Sequence, residues 1–105
     1  MLDTAPAMES TLLRTVPRAT DAAWQAIRLG AALEDELVGD YASVLLTQAA
    51  ALDLPSQGAP EQQATRRSVT WRNPAVLGPV QAWRERRGMT WPEALTVAAG
   101  LAARP

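Results

Sequence analysis

The segment from Ser68 to Leu101 constrains the fold of this chain most, because a strand pattern, a helix start, a helix stop and a second helix start follow one another there. Val69 and Trp71 are apolar and alternate with polar residues. Side chains of a strand point alternately to its two faces, so this alternation predicts a short strand with one apolar face. Such a face must be covered by other elements of the fold.

Two helices are predicted directly after this strand. Asn73 is a good N-cap and Pro74 suits the first helical position, so the first helix starts there, or at Pro79 if that proline interrupts it. Gly88 is the residue type expected where a helix ends in the left-handed conformation. The Thr-Trp-Pro-Glu sequence at 90–93 has the pattern of a capping box and predicts the start of the second helix.

The first half of the chain also has helical periodicity. A helix is predicted from Thr20 to Val38, capped by Thr20 or Asp21. Its apolar residues form two rows and predict burial over a wide arc: Trp24, Ile27, Ala31 and Val38, with Leu29, Leu33 and Leu37 beside them. Gly39 and Asp40 are interpreted as a stop and a new N-cap. A second, shorter helix follows with the row Tyr41, Leu45, Gln48 and Leu52.

This first half has two interpretations. A candidate strand from Thr11 to Val16, ended by Pro17, precedes its two helices, so the half resembles a degenerate copy of the second. A shift of 49 residues superposes Leu46 on Leu95 and Gly39 on Gly88. In that interpretation the two strands pair within one chain, with Leu13 and Thr15 pointing outward. The alternative is a helical hairpin that packs on the second half or mediates assembly.

The predicted organisation is mainly α. It comprises a flexible N-terminus at 1–10, a helical half at 11–53, a linker at 54–65 marked by two prolines and a glycine, and a strand-helix-helix half at 66–105. One strand and two helices, about 35 residues, bury too little surface to fold alone. The second half therefore needs a partner, either another copy of the chain or its own first half.

Composition excludes most catalytic chemistry. The chain has 105 residues with no cysteine and no histidine, which removes thiolate nucleophiles, disulfides, the usual zinc ligands and near-neutral bases. The acidic run 34–36 is interpreted as a solvated helix face. We expect neither an enzyme nor a metal or cofactor site. No apolar run reaches the length of about 20 residues that spans a bilayer, and Met1 to Ser10 lacks the features of a signal peptide, so the expected location is cytoplasmic.

Charge is distributed unevenly along the chain. Residues 1–60 contain three arginines and eight acids, whereas residues 61–105 contain seven arginines and three acids. All ten basic residues are arginine, whose planar fork suits phosphate or guanine. A GC-rich genome explains the missing lysines equally well. The basic half is the one that contains the strand and the capped helices.

These motifs resemble the ribbon-helix-helix family of DNA-binding proteins, the Arc and MetJ type. The family pattern has a strand of alternating polar and apolar residues, a helix, and a G-x-[ST]-x-[SP]-E start to the second helix. Here the strand is Ser68 to Arg72 and the helix start is Gly88 to Glu93. The resemblance covers about residues 66–103. Pro92 and the large Trp71 depart from the usual pattern.

The resemblance implies that two strands form an antiparallel ribbon that reads the major groove of double-stranded DNA. Outward-facing residues would contact base edges: Ser68, Thr70 and Arg72. Other residues would contact phosphates: Arg66, Arg67, Arg87, and Thr90 and Trp91 at a helix N-terminus. The expected assembly is a homodimer or higher oligomer, or a single-chain pseudo-dimer.

Three functions are compatible with these expectations. The first is a sequence-specific DNA-binding repressor or autoregulator. The second is an antitoxin, or a plasmid partition or transfer accessory protein, with a protein partner bound through residues 18–53. The third, suggested by the acidic pI of about 5.3, is a helical adaptor that does not bind DNA. Arg72→Ala is expected to abolish specific DNA binding under the first two and to change nothing under the third.

Overall fold

A computed structural model of the protein describes residues 12–58 and 63–102. The first half contains strands β1 (Leu13–Thr15) and β2 (Arg18–Thr20) and helices α1 (Asp21–Leu33) and α2 (Val38–Ala51). The second contains strands β3 (Ala64–Arg66) and β4 (Val69–Trp71), a 3-10 turn (Pro74–Val76), and helices α3 (Leu77–Arg86) and α4 (Trp91–Ala102). The fold is mainly helical, as predicted. The expected flexible N-terminus, residue 11 and part of the expected linker (59–62) lie outside the described residues.

The strands of the two halves pair with each other as an antiparallel ribbon, which we define as residues 13–20 and 64–71. Leu13 lies opposite Trp71, and Arg18 lies opposite Arg66 in the same register. Between these segments the Arg67 N–H donates to the Pro17 carbonyl oxygen at 2.8 Å. Pro17 has no N–H to return the bond, which is why each strand is divided into two short segments. The second strand of the ribbon therefore comes from the same chain.

Both halves have the order strand, helix, helix, and their first helices end in the same way. The N–H groups of Glu34, Asp35 and Glu36 donate to the carbonyls of Gly30, Ala32 and Ala31. The N–H groups of Arg87, Gly88 and Met89 donate to those of Trp83, Glu85 and Arg84. Each pattern is a Schellman motif, and every residue of the second lies 53 positions after its equivalent in the first (83 minus 30).

The sequence alignment with a shift of 49 residues is therefore wrong by about one helical turn. The structural equivalent of Gly88 (φ 65°) is Asp35 (φ 57°), not Gly39. Helix α1 ends at Leu33, and α2 starts at Val38 with Leu37 as its N-cap. Aspartate is one of the few residues other than glycine that tolerates the left-handed conformation, and its presence concealed the stop signal.

These equivalent positions allow a matched test of backbone strain. We expect Gly88→Ala to lower the free energy of unfolding by about 1–2 kcal/mol, because a Cβ is unfavourable in the left-handed region. Asp35→Ala should cost much less, since a side chain already stands in that conformation. Urea unfolding of both variants measures the difference, and equal losses would contradict this account.

The other predicted caps are confirmed at α1, at α4 and at the 3-10 turn that leads into α3. Thr20 Oγ1 accepts from the Ala23 N–H at 3.2 Å, and Asn73 Oδ1 accepts from the Ala75 N–H at 3.2 Å. The capping box forms at α4, where the Thr90 N–H donates to Glu93 Oε1 at 2.8 Å and the Glu93 N–H donates to Thr90 Oγ1 at 3.3 Å. The suggested restart at Pro79 is wrong, because the 3-10 turn begins at Pro74 and leads directly into α3.

The core lies between the ribbon and the helices, and both halves contribute to it. The second helix of each half packs on the other half's strand, α2 on β4 and α4 on β2, and α4 also packs on α1 and α2. The largest fully buried side chains are Trp71, Trp83, Ile27, Leu46 and Leu95. Both of these tryptophans have hydrogen-bonded indoles: Trp71 Nε1 donates to Thr15 Oγ1 at 2.8 Å, and Trp83 Nε1 donates to the Leu54 carbonyl at 2.9 Å.

The burial predicted for the first two helices is correct only in part. Trp24, Ile27 and Ala31 are buried, but Leu29, Leu33 and Leu37 are exposed. Of the row predicted for the second helix, Leu45 is buried, whereas Gln48 and the C-cap residue Leu52 are exposed; the buried residues of α2 are Ala42, Ser43, Leu45, Leu46 and Ala49. The buried arc of α1 is narrower than predicted, because α4 and α2 pack on one side of α1 and leave its other side exposed. In residues 12–58 and 63–102, no helix combines the length and apolarity needed to cross a membrane.

Candidate nucleic-acid interface

The two faces of the ribbon have different environments. Pro17, Ala19, Val69 and Trp71 are buried, and they share one face because alternate residues of a strand point the same way. The Trp71 to Thr15 hydrogen bond lies on this inner face and joins the two strands. The intervening residues therefore point away from the core.

The outer face of the ribbon carries three arginines. It is formed by Arg14, Val16 and Arg18 from one strand and by Arg66, Ser68 and Thr70 from the other. All are exposed except Thr70, which is half-buried. The expectation that Leu13 and Thr15 point outward is wrong, since Leu13 lies opposite Trp71 and Thr15 binds its indole. The N-terminal strand therefore contributes Arg14 and Arg18 to the outer face.

These three arginines have no acidic partner among the described residues. Five of the other arginines form ion pairs: Arg67, Arg72, Arg84, Arg86 and Arg87. Arg18 and Arg66 lie directly opposite each other, an arrangement of like charges that destabilises a sheet. An exposed surface that retains this repulsion is suited to binding an anion. Neither Arg18 nor Arg66 was among the residues predicted to read bases.

The three predicted base-reading residues lie in different environments. Ser68 is exposed at the centre of the outer face. Thr70 lies beside the first turn of α2, where a Cβ added to Gly39 would be 2.9 Å from Thr70 Oγ1. Arg72 follows the strand, and its Nε and Nη2 donate to Asp40 Oδ2 at 3.0 and 2.9 Å. The carboxylate holds that guanidinium, although 66% of the Arg72 side chain remains exposed.

The predicted phosphate-contacting arginines are also separated. Arg66 is on the outer face, but Arg67 has the inward orientation, pairs with Asp21 at 2.6 Å and lies over the Trp24 ring at 5.9 Å. Arg87 Nη2 donates to the side chain of Asp53 at 3.0 Å and to its carbonyl at 2.7 Å. Of these three guanidinium groups, Arg66 is the one without an acidic partner in the described residues.

The N-terminus of α4 adjoins the arginine end of the ribbon. A cavity of about 350 Å³ is lined by Val16, Pro17, Arg18, Arg66, Trp91 and Pro92. Thr90 uses its backbone N–H and hydroxyl in the capping box, and Pro92 has no N–H. The Trp91 N–H is therefore the group left at this terminus to meet an anion. The Arg84 guanidinium lies over the Trp91 ring, 4.9 Å from its centroid.

The N-terminus of α2 adjoins the opposite side of the ribbon. A Cβ on Gly39 would also be 3.1 Å from the Ser68 carbonyl oxygen, so the helix lies against the edge of β4. Its first turn contains Asp40, and the acidic turn 34–36 precedes it. These carboxylates make the α2 terminus less favourable for an anion than the α4 terminus.

The Asp53 ion pairs predict a pH dependence. Hydrogen bonds from Arg87 and Arg86 hold the pKa of the Asp53 carboxyl below its ordinary value. A carboxyl with a lowered folded-state pKa contributes stability above its unfolded pKa, and this contribution is lost as the pH falls through the folded pKa. We therefore expect Asp53→Asn to reduce the loss of stability below about pH 4. Urea unfolding from pH 6 to pH 2 tests this, and parallel curves for variant and wild type would contradict it.

Arg14 and Arg18 are the site residues that the sequence analysis did not identify. Their signal is present in the stretch RTVPRAT, residues 14–20, where arginines stand at even positions and Pro17 and Ala19 at odd ones. The proline concealed the strand pattern, since proline within a run argues against a strand. Comparisons with known proteins add no constraint: no protein-family model, no curated protein and no solved structure matches the chain.

Proposed function

We propose that the protein binds double-stranded DNA sequence-specifically by inserting the outer face of its ribbon into the major groove, as a repressor or autoregulator would. The observation that carries the proposal is the exposed Arg18–Arg66 pair. Strand pairing places these two arginines opposite each other, and neither has an acidic partner in the described residues. A two-stranded ribbon fits the width of the major groove, and arginine forks onto guanine O6 and N7. The paired strand-helix-helix halves support assignment to the ribbon-helix-helix family.

The contacts expected at the DNA follow from this geometry. Arg14, Arg18, Arg66 and Ser68 face the bases, with Thr70 and Arg72 toward one end of the ribbon. The Trp91 N–H and the cavity beside Arg18 suit a backbone phosphate. Arg67 and Arg87 are assigned instead to structural ion pairs.

A fluorescence-anisotropy titration against genomic DNA fragments at two salt concentrations tests the proposal. We expect a subset of fragments to bind at least a thousandfold more tightly than the rest, with affinity falling steeply as salt rises because phosphate contacts release counterions. Absence of binding at low salt would instead support an adaptor that has no nucleic-acid role.

A second candidate, in which the protein also binds a protein partner as antitoxins do, is favoured by the surface of α1. Leu29 and Leu33 lie one turn apart on α1, and Leu37 follows the turn that ends this helix; the three side chains are 65–84% exposed. The adjoining acidic turn, Glu34 to Glu36, has no ion pair among the described residues. Exposed leucines beside unpaired carboxylates suit a basic, amphipathic segment of another protein.

Site-directed photo-crosslinking in the source cells tests the second candidate. A photoreactive residue at Leu33 is expected to give one discrete adduct with a protein whose contacting segment is basic. The same group at Glu85, an exposed residue on α3, is the control and should give none. An adduct with a second copy of this chain, or no adduct, would exclude this candidate while leaving DNA binding unaffected.

A further inference from the structure

The outer face of the ribbon is not the same at its two ends. The buried residues of the strands correspond at a shift of 52 positions, from Pro17 to Val69 and from Ala19 to Trp71 (71 minus 19). The helix ends of the two halves correspond at a shift of 53 positions, because the second half has one additional residue between its strand and its first helix. The same shift of 52 positions therefore identifies which outer-face residue of one strand corresponds to which outer-face residue of the other.

Two of the three equivalent outer pairs differ in chemistry. Arg14 corresponds to Arg66, but Val16 corresponds to Ser68 and Arg18 corresponds to Thr70. A ribbon made by two identical chains would present the same residue at both places and would read the two halves of a palindrome alike. This ribbon presents a different residue at two of three places.

The difference concentrates charge at one end. Arg18 lies opposite Arg66 at that end, and Arg14 lies opposite the half-buried Thr70 at the other. Arg72, which follows Thr70, is already held by Asp40. At the centre Val16 has no hydrogen-bonding group and can offer apolar contact to a thymine methyl, whereas Ser68 can donate or accept.

We infer that one copy of this chain recognises a non-palindromic double-stranded DNA site in which G·C pairs cluster at the end read by Arg18 and Arg66. The inference rests on the proposed function and specifies its ligand. A single chain provides both strands of the ribbon, so a second copy is not required to complete the reading surface.

Selection from a randomised double-stranded DNA library with the full chain tests the inference, together with native mass spectrometry of the selected complex. We expect a motif without dyad symmetry and one chain per site. Arg18→Thr should lower the preference for guanine at one position by about tenfold or more, within the range of a bidentate arginine contact. Arg28→Thr, an exposed arginine on α1, is the matched control and should leave the motif unchanged.

A symmetrised variant makes the test sharper. Val16→Ser combined with Arg18→Thr gives both strands the same outer residues, and both substitutions lie on the exposed face. This variant should select a more nearly palindromic motif than the wild type. A palindromic motif for the wild type, or two chains on each site, would overturn the inference but not the DNA-binding proposal. Failure to select any double-stranded DNA would overturn both.

Discussion

Replacing Arg18 and Arg66 together by alanine is expected to lower the affinity for specific DNA by about a hundredfold or more. Each good bidentate arginine contact contributes about 1–3 kcal/mol, and the two contacts lie side by side on one ribbon. Both side chains are exposed and have no acidic partner among the described residues, so their loss leaves no carboxylate unpaired. Fluorescence anisotropy on a selected site measures the change.

The same substitution should leave the fold intact or stabilise it slightly. Removing two like charges that face each other across the ribbon relieves a repulsion of roughly 0.2–1 kcal/mol. Loss of DNA binding with unchanged or higher stability is the signature of a binding surface. Arg28→Ala with Arg86→Ala changes the net charge equally and should retain most of the affinity. Equal losses for the two double variants would indicate nonspecific electrostatic attraction.

Trp71→Ala is expected to have the largest effect on stability. Trp71 is fully buried, and its indole N–H donates to Thr15 Oγ1 on the paired strand. Truncation of a buried tryptophan typically costs about 3–5 kcal/mol, a large share of the roughly 5–15 kcal/mol that stabilises a small domain. Because Trp71 joins the two strands, its loss should also weaken the ribbon that carries the outer arginines.

Urea unfolding followed by circular dichroism measures this loss. Leu33→Ala, an exposed leucine on α1, is the control and should change stability by no more than about 0.5 kcal/mol. A double-mutant cycle of Trp71→Phe and Thr15→Val isolates the hydrogen bond, with an expected coupling of about 0.5–1.5 kcal/mol. A coupling near zero would mean that Trp71 acts through packing alone.

Local signals predicted much of the second half correctly. The alternation around Val69 and Trp71 predicted β4, Asn73 predicted the start of the 3-10 turn that leads into α3, Gly88 predicted the end of α3, and the capping box at Thr90 predicted the start of α4. Each of these signals acts within a few residues of the chain. A cap or a left-handed stop is determined by side chains next to the bond that they satisfy, so sequence alone is sufficient to locate it.

The first half was predicted less well because its signals are atypical. Asp35 takes the place that Gly88 occupies in the second half, Leu37 starts a helix without a side-chain cap, and Pro17 lies inside a paired strand. Each of these residues is compatible with its position but uncommon there. Helical periodicity also overestimated the buried arc of α1, because periodicity does not indicate how many neighbouring helices cover a helix.

The sequence by itself determined the mainly helical composition, the caps of α1, α4 and the 3-10 turn, and the absence of cysteine and histidine chemistry. Only the tertiary structure decided that the ribbon forms within one chain, that Arg14 and Arg18 join Arg66 on its outer face, and that Asp21, Asp40 and Asp53 hold four of the other arginines. The physical reason is the distance along the chain. Caps depend on adjacent residues, whereas strand register and ion pairing depend on residues that lie tens of positions apart.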